Sequence, residues 1–81
     1  MKELVSYIVS ELVEDKEGFS ISVEPGRGEK GEDIINIYVP KSDIGRVIGK
    51  EGRIAKAIRT LVRAASMRVG GRYVVEILEK D

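Results

Sequence analysis

Hydrophobic residues in this chain recur with two different periods, and the order in which those periods alternate leaves few folds open. Between Lys2 and Val13, the residues Leu4, Val5, Ile8, Val9, Leu12 and Val13 follow at steps of one, three and four, while Lys2, Glu3, Ser6, Ser10 and Glu11 take the other side. That spacing predicts an amphipathic helix. After the polar run Glu14 to Gly18 the period drops to two. Phe19, Ile21 and Val23 alternate with Ser20, Ser22 and Glu24, as in a half-buried strand, and Pro25 ends it. Pro25 to Asp33 holds three glycines and no large apolar side chain, which predicts an exposed, mobile hairpin connection. A second strand follows, with Ile35, Ile37 and Val39 on its more apolar face and Asn36 and Tyr38 on the other. Pro40 stops it, having no N–H to give to a ladder.

The helical period then returns twice. Ser42 or Asp43 can cap a helix of about two turns that carries Ile44, Val47 and Ile48 and runs into Gly49. Beyond Gly52 a longer helix is expected, with Ile54, Ala57, Ile58, Leu61, Ala65 and Val69 on one face and Lys56, Arg59 and Arg63 opposite, until Gly70-Gly71 stops it. Tyr73 to Leu78 is β-branched and apolar on both faces, which suits a strand covered by helices and flanked by another strand. The predicted order is α-β-β-α-α-β, an α+β fold. A chain of 81 residues leaves no room for a second core, so a single domain, residues 1–81, is expected.

Composition closes off most catalysis. Without cysteine there is no disulfide or thiolate metal site, and without histidine the commonest metal ligand and general base is missing. No cofactor, no metal and no enzyme activity are expected. The adjacent acids Glu14-Asp15 and Glu32-Asp33 sit in polar connections, where they read as solvating charges and not as a catalytic pair. A phosphate-binding P-loop would need Gly-x-x-x-x-Gly-Lys followed by Ser or Thr, and no such string occurs near Gly49. No apolar run approaches the length of a membrane span, so the expected address is cytoplasmic, with no membrane contact. With only four aromatics, the core must be made mostly of Ile, Val, Leu and Ala.

Basic and acidic residues balance at 14 each, but they are segregated. Met1 to Pro40 carries four basic against nine acidic residues, a net of −5, whereas Lys41 to Arg72 carries nine basic against two acidic ones, a net of +7. The tail from Tyr73 to Asp81 is acidic again. A block of that sign suits a polyanion-facing surface. Inside it lies Gly49-Lys50-Glu51-Gly52, where the two glycines allow a tight turn between helices and leave room for a sugar-phosphate backbone to approach the main chain. The opening turn of the following helix would offer unpaired amides and a positive dipole end there, with Lys50 and Arg53 adding full charges and Glu51 opposing them.

The run Ile-Gly-Arg-Val-Ile-Gly-Lys-Glu-Gly-Arg-Ile, Ile44 to Ile54, closely resembles the signature of KH domains, and the element order resembles their type II, prokaryotic arrangement. Length, opening helix and the stretch Val47 to Arg59 are similar to the small stand-alone bacterial KH proteins of the KhpA type. The resemblance implies a type II KH fold, a three-stranded mixed sheet with helices packed on one face. It also implies a non-catalytic binder of single-stranded RNA, an RNA chaperone or post-transcriptional regulator, with about four unpaired nucleotides in a groove beside the loop. Carried onto this chain, the loop maps to Gly49, Lys50, Glu51 and Gly52, with Ile48 and Ile54 flanking it as RNA-binding residues. Charge placement adds Arg53, Arg46 and Lys56, the last from a basic helix face with Arg59 and Arg63 that suits either extra phosphate contacts or solubility. The apolar floor maps to Ile44, Val47, Ile48 and Ile54 beside the strand Ile35 to Val39, with Val47 and Ile58 read as core. No aromatic lies between Val39 and Tyr73, so base stacking on aromatic rings is not expected. The resemblance further implies a homodimer, or a heterodimer with a larger KH protein of the KhpB/Jag type. The competing reading is a protein-interaction or dimerisation module with little RNA binding of its own.

Overall fold

The central strand organises the molecule. In the computed structural model, which describes residues 1–80, strand β2 (Asp33–Pro40) pairs antiparallel with β1 (Ser20–Glu24) on one edge and parallel with β3 (Tyr73–Lys80) on the other. Asp81, counted above in the acidic tail, lies outside the described residues. The sheet order is β1-β2-β3, and the predicted alternation along β2 holds: Ile35, Ile37 and Val39 are wholly buried. Their register partners Ile21, Val23, Val75 and Ile77 share that face. Three helices cover it, α1 (Lys2–Leu12), α2 (Lys41–Ile48) and α3 (Arg53–Val69), so the fold is α+β of the type II KH kind, with the opposite sheet face left uncovered. At the centre of that open face Asn36 donates to Glu24 Oε2 (2.9 Å) and lies near Ser22 Oγ (3.4 Å), which satisfies its buried amide.

The core contains Val5, Val9 and Val13 from α1 and its end, Val47 from α2, and Ala55, Ile58 and Val62 from α3. It is a core of valine and isoleucine, and none of the four leucines is fully buried. Branched residues in helix interiors lower helix propensity, so α1 owes its helix more to packing against the sheet than to its own sequence. Lys16 closes its end by donating from Nζ to the carbonyls of Ser10 and Val13, where the helix dipole is negative.

Two expectations change. The buried stripe of α3 runs through Ala55, Ile58 and Val62, whereas Ala57, Leu61 and Val69 are exposed. Apolar residues occur in adjacent pairs at 57–58 and 61–62, so two stripes can be drawn, and only packing on the sheet selects one. The connection Pro25 to Asp33 is exposed as expected, but it is also cross-braced. Gly26 N–H donates to Asp33 Oδ1 (3.0 Å), Lys30 N–H to Glu32 Oε1 (2.8 Å), and the Arg72 guanidinium to Lys30 O (3.0 Å). Hydrogen bonds from its own amide and that of Lys30 hold the Glu32 carboxyl below the usual carboxylate range, with Arg72 and Lys30 adding attraction.

Candidate nucleic-acid interface

Helix α2 begins directly after β2, with Pro40 at its N-cap and no side-chain cap. Asp43, expected as a possible cap, lies within the helix instead and is only 2% exposed. Its carboxylate turns away from the α2 amides toward the turn that follows α1. Oδ1 accepts from Glu14 N–H (3.2 Å) and from Arg46 Nε (3.1 Å), and Oδ2 accepts from Asp15 N–H (3.1 Å). The orphan donors nearest this buried position belong to another part of the chain, so tertiary contact overrides local capping. Arg46 also meets Glu14 Oε1 at 3.1 Å. Expected to face phosphate, its guanidinium is drawn toward the acidic end of the molecule.

The turn itself is made of two unlike glycines. Gly49 (φ 78°, ψ 171°) occupies a region essentially closed to other residues, and a Cβ there would stand 2.4 Å from Ile54 Cγ1 and 2.9 Å from Ile54 N. Gly52 (φ 75°, ψ 15°) is left-handed, with open space where its Cβ would be. Between them Lys50–Gly52 forms a 3₁₀ turn in which Glu51 also has a positive φ of 56°, the only non-glycine among the described residues to do so. A glutamate in that conformation costs about 1 kcal/mol. The turn therefore holds strain that local sequence does not call for.

That turn also changes which amides are free. Gly52 N–H donates to Gly49 O (3.1 Å) and Arg53 N–H to Lys50 O, so the first amides at the mouth of α3 are already bonded. Lys50 and Glu51 open the 3₁₀ turn, so their amides have no acceptor within the turn itself. Successive amides opening a turn beside residues of positive φ are where an anion-binding concavity forms. Most helices place acids in the first turn to offset the dipole, but α3 has none there and carries Arg53 and Lys56 instead. Lys50, Arg53 and Lys56 are exposed and have no ion-pair partner among the described residues.

Of the apolar floor, Ile48 is 38% exposed and Ile44 and Ile54 are half-buried, whereas Val47, like Ile58, is sealed in the core. Gly45, one turn before Gly49, has nothing within 4 Å of where a Cβ would be, so the outer side of α2 is bare beside Ile48. Helix α2 touches β2, the strand expected beside this floor, but the apolar side chains of that central strand are covered. The edge strand that α2 and α3 both touch is β3. It carries two features missed in the sequence: an unpaired outer edge, and Tyr73 beside Arg59 and Arg63.

A mixed sheet covered on one face by helices, with a strained Gly-x-x-Gly turn joining two of them at a positive helix end, defines a type II KH domain. The family described as KhpA/KhpB, KH domain matches residues 2–77, and the chain belongs to it. It is 46% identical to the RNA-binding protein KhpA of Clostridium perfringens over 96% of this chain and 100% of that one. It is 40% identical to RNA-binding protein KhpA of Aquifex aeolicus, over 98% and 96% of the two chains. It is 38% identical to that of Treponema pallidum, over 96% and 94%. These names describe binding and no reaction, in keeping with the non-catalytic reading of the sequence. Among solved structures, Aquifex aeolicus Era bound to GDP.AlF4- matches with a TM-score of 0.61 and 20% identity, over 98% of this chain and 29% of the Era chain. At that identity the likeness concerns the fold, and this chain spans less than a third of Era.

Proposed function

We propose that this chain binds single-stranded RNA without catalysing a reaction, holding the sugar-phosphate backbone on Gly49 to Gly52. The observation that carries this reading is the turn: the opening amides of Lys50 and Glu51 and the exposed cations Lys50, Arg53 and Lys56 gather at the N-terminal end of α3, opposed by Glu51 alone. The names of the relatives, RNA-binding protein KhpA, support the same ligand. Ile48 and Ile54 provide aliphatic contact for bases beside the loop, and the bare Gly45 lets the strand lie close to α2. Arg46 reaches the phosphates only by leaving Asp43 and Glu14, which makes it a weaker contributor than Lys50 or Arg53. A few phosphate contacts give modest affinity, so the working unit is a homodimer, or a pair with a larger KH protein of the KhpB/Jag type, acting in the cytoplasm as an RNA chaperone or regulator. The exposed Leu61, Met67 and Val69 of α3 offer apolar surface for such pairing. No helix among the described residues is long and apolar enough to cross a membrane.

Titration of labelled single-stranded RNA with the wild type and with Lys50→Asp combined with Glu51→Asp tests the reading. Both glycines stay in place and aspartate tolerates the left-handed conformation, so the variant keeps its fold. Its affinity should fall at least about tenfold, the worth of a lost charge-assisted contact. Equal binding by both proteins would overturn the proposal. Partner binding that survives the loop change, with no RNA binding at low salt, would favour the protein-interaction module.

A further inference from the structure

No aromatic residue lies between Val39 and Tyr73 in the sequence, yet folding β3 back against α3 brings Tyr73 to the middle of the basic helix. An open cleft of about 400 Å³ lies there, lined by Arg59, Thr60 and Arg63 of α3 and by Tyr73, Val74 and Val75 at the start of β3. The two arginines are exposed, stand one turn apart on the same face, and have no ion-pair partner among the described residues. Tyr73 is half-buried, and Gly71 near its ring, at φ 104°, carries no side chain to cover it: a Cβ there would stand 3.4 Å from Cε2 and 3.5 Å from Oη. A half-buried ring has less freedom to lose than an exposed one when something stacks on it.

We infer that this cleft is a second nucleotide subsite, in which a base stacks on Tyr73 while Arg59 and Arg63 hold the flanking phosphates. The inference rests on the loop reading and extends it: Arg59 and Arg63 lie about 10 and about 17 Å along the helix axis from Gly52, with Lys56 between, so a strand leaving the loop along α3 reaches the cleft. Stacking of a base on an aromatic ring tolerates any sequence, and two guanidinium groups match successive phosphates. An acidic peptide added to the free edge of β3 is the other occupant that two arginines would accept. Such a peptide would have to run past Glu76 and Glu79, whereas a nucleotide seated at Tyr73 meets only the start of the strand.

The test compares unstructured RNAs of about four and about eight nucleotides, a loop-length and a loop-plus-cleft ligand. Binding is measured for the wild type, Tyr73→Ala, Tyr73→Phe, the double variant Arg59→Gln with Arg63→Gln, and the loop variant described above. Tyr73→Ala and the arginine pair should each weaken the longer RNA at least about fivefold, while Tyr73→Phe keeps its affinity. The shorter RNA should stay within about twofold for all three. The exposed arginines decide the matter should Tyr73→Ala lose its fold. If the loop variant fails while the arginine pair binds the longer RNA like wild type, the subsite is overturned and the loop reading stands. If the wild type binds neither RNA, both fall. The Tyr73 ring resonances should shift with the longer RNA; a shift with an aspartate-rich peptide and none with RNA would assign the cleft to a protein and overturn the inference.

Discussion

Asp43 joins parts of the chain that are far apart in sequence. Both of its oxygens are committed as acceptors, to the amides of Glu14 and Asp15 and to Arg46, and the side chain is almost fully enclosed. It therefore pins the turn after α1 to the helix that leads into Gly49. Removing it strands two amides and a guanidinium, so Asp43→Ala should lower unfolding stability by about 2 to 4 kcal/mol. Asp43→Asn should do little better, because an amide must present its NH2 group to one of the waiting donors. Urea unfolding of the two variants checks this, and a wild-type midpoint for the asparagine variant would refute it. The sequence marked Asp43 only as a possible cap, since nothing local reveals that two of its three partners lie about thirty residues away.

At the scale of elements, the α2–α3 turn was legible as a tight, backbone-accessible corner, but the division of work between its glycines was not. Gly49 is required by its backbone angles and by the Ile54 side chain packed against it, while Gly52 faces open space in a conformation that asparagine also adopts. Gly49→Ala should therefore cost about 2 to 4 kcal/mol, and Gly52→Asn no more than about 1 kcal/mol. Thermal unfolding of the pair separates them, and equal losses would contradict the geometry. The same limit applies to α3. Helical periodicity located the helix, but its apolar residues fall on two adjacent faces, and burial of Val62 in place of Leu61 depends on where the sheet lies.

For the whole molecule, zero net charge conceals a basic segment enclosed between acidic ones. The fold pairs one cation of that segment, Arg46, with Asp43 and Glu14 and leaves Lys50, Arg53 and Lys56 around the turn without ion pairs among the described residues. A short RNA neutralising those three cations should show log affinity falling with log salt at a slope of about −2, and reversing Lys50 to aspartate should make the slope shallower. Isothermal titration over a range of salt concentrations measures it. A slope near zero would mean that the basic block does not face phosphate. Duplex RNA should bind more weakly than the single strand, since the apolar contacts at Ile48 and Ile54 are reachable only by unstacked bases.

The element order, the buried face of β2 and the position of the glycine turn were set by the sequence alone, because each depends on residues within a few positions of one another: a period of two or 3.6, a proline, a glycine pair. Tertiary structure decided what distant residues share. It turned Asp43 from a cap into a tie, gave Arg46 to Glu14, and chose one of two stripes on α3. It also covered β2 while leaving β3 at the edge, and set Tyr73 beside Arg59 and Arg63. Local patterning constrains where a side chain can point, whereas the partner it meets depends on how separate elements pack.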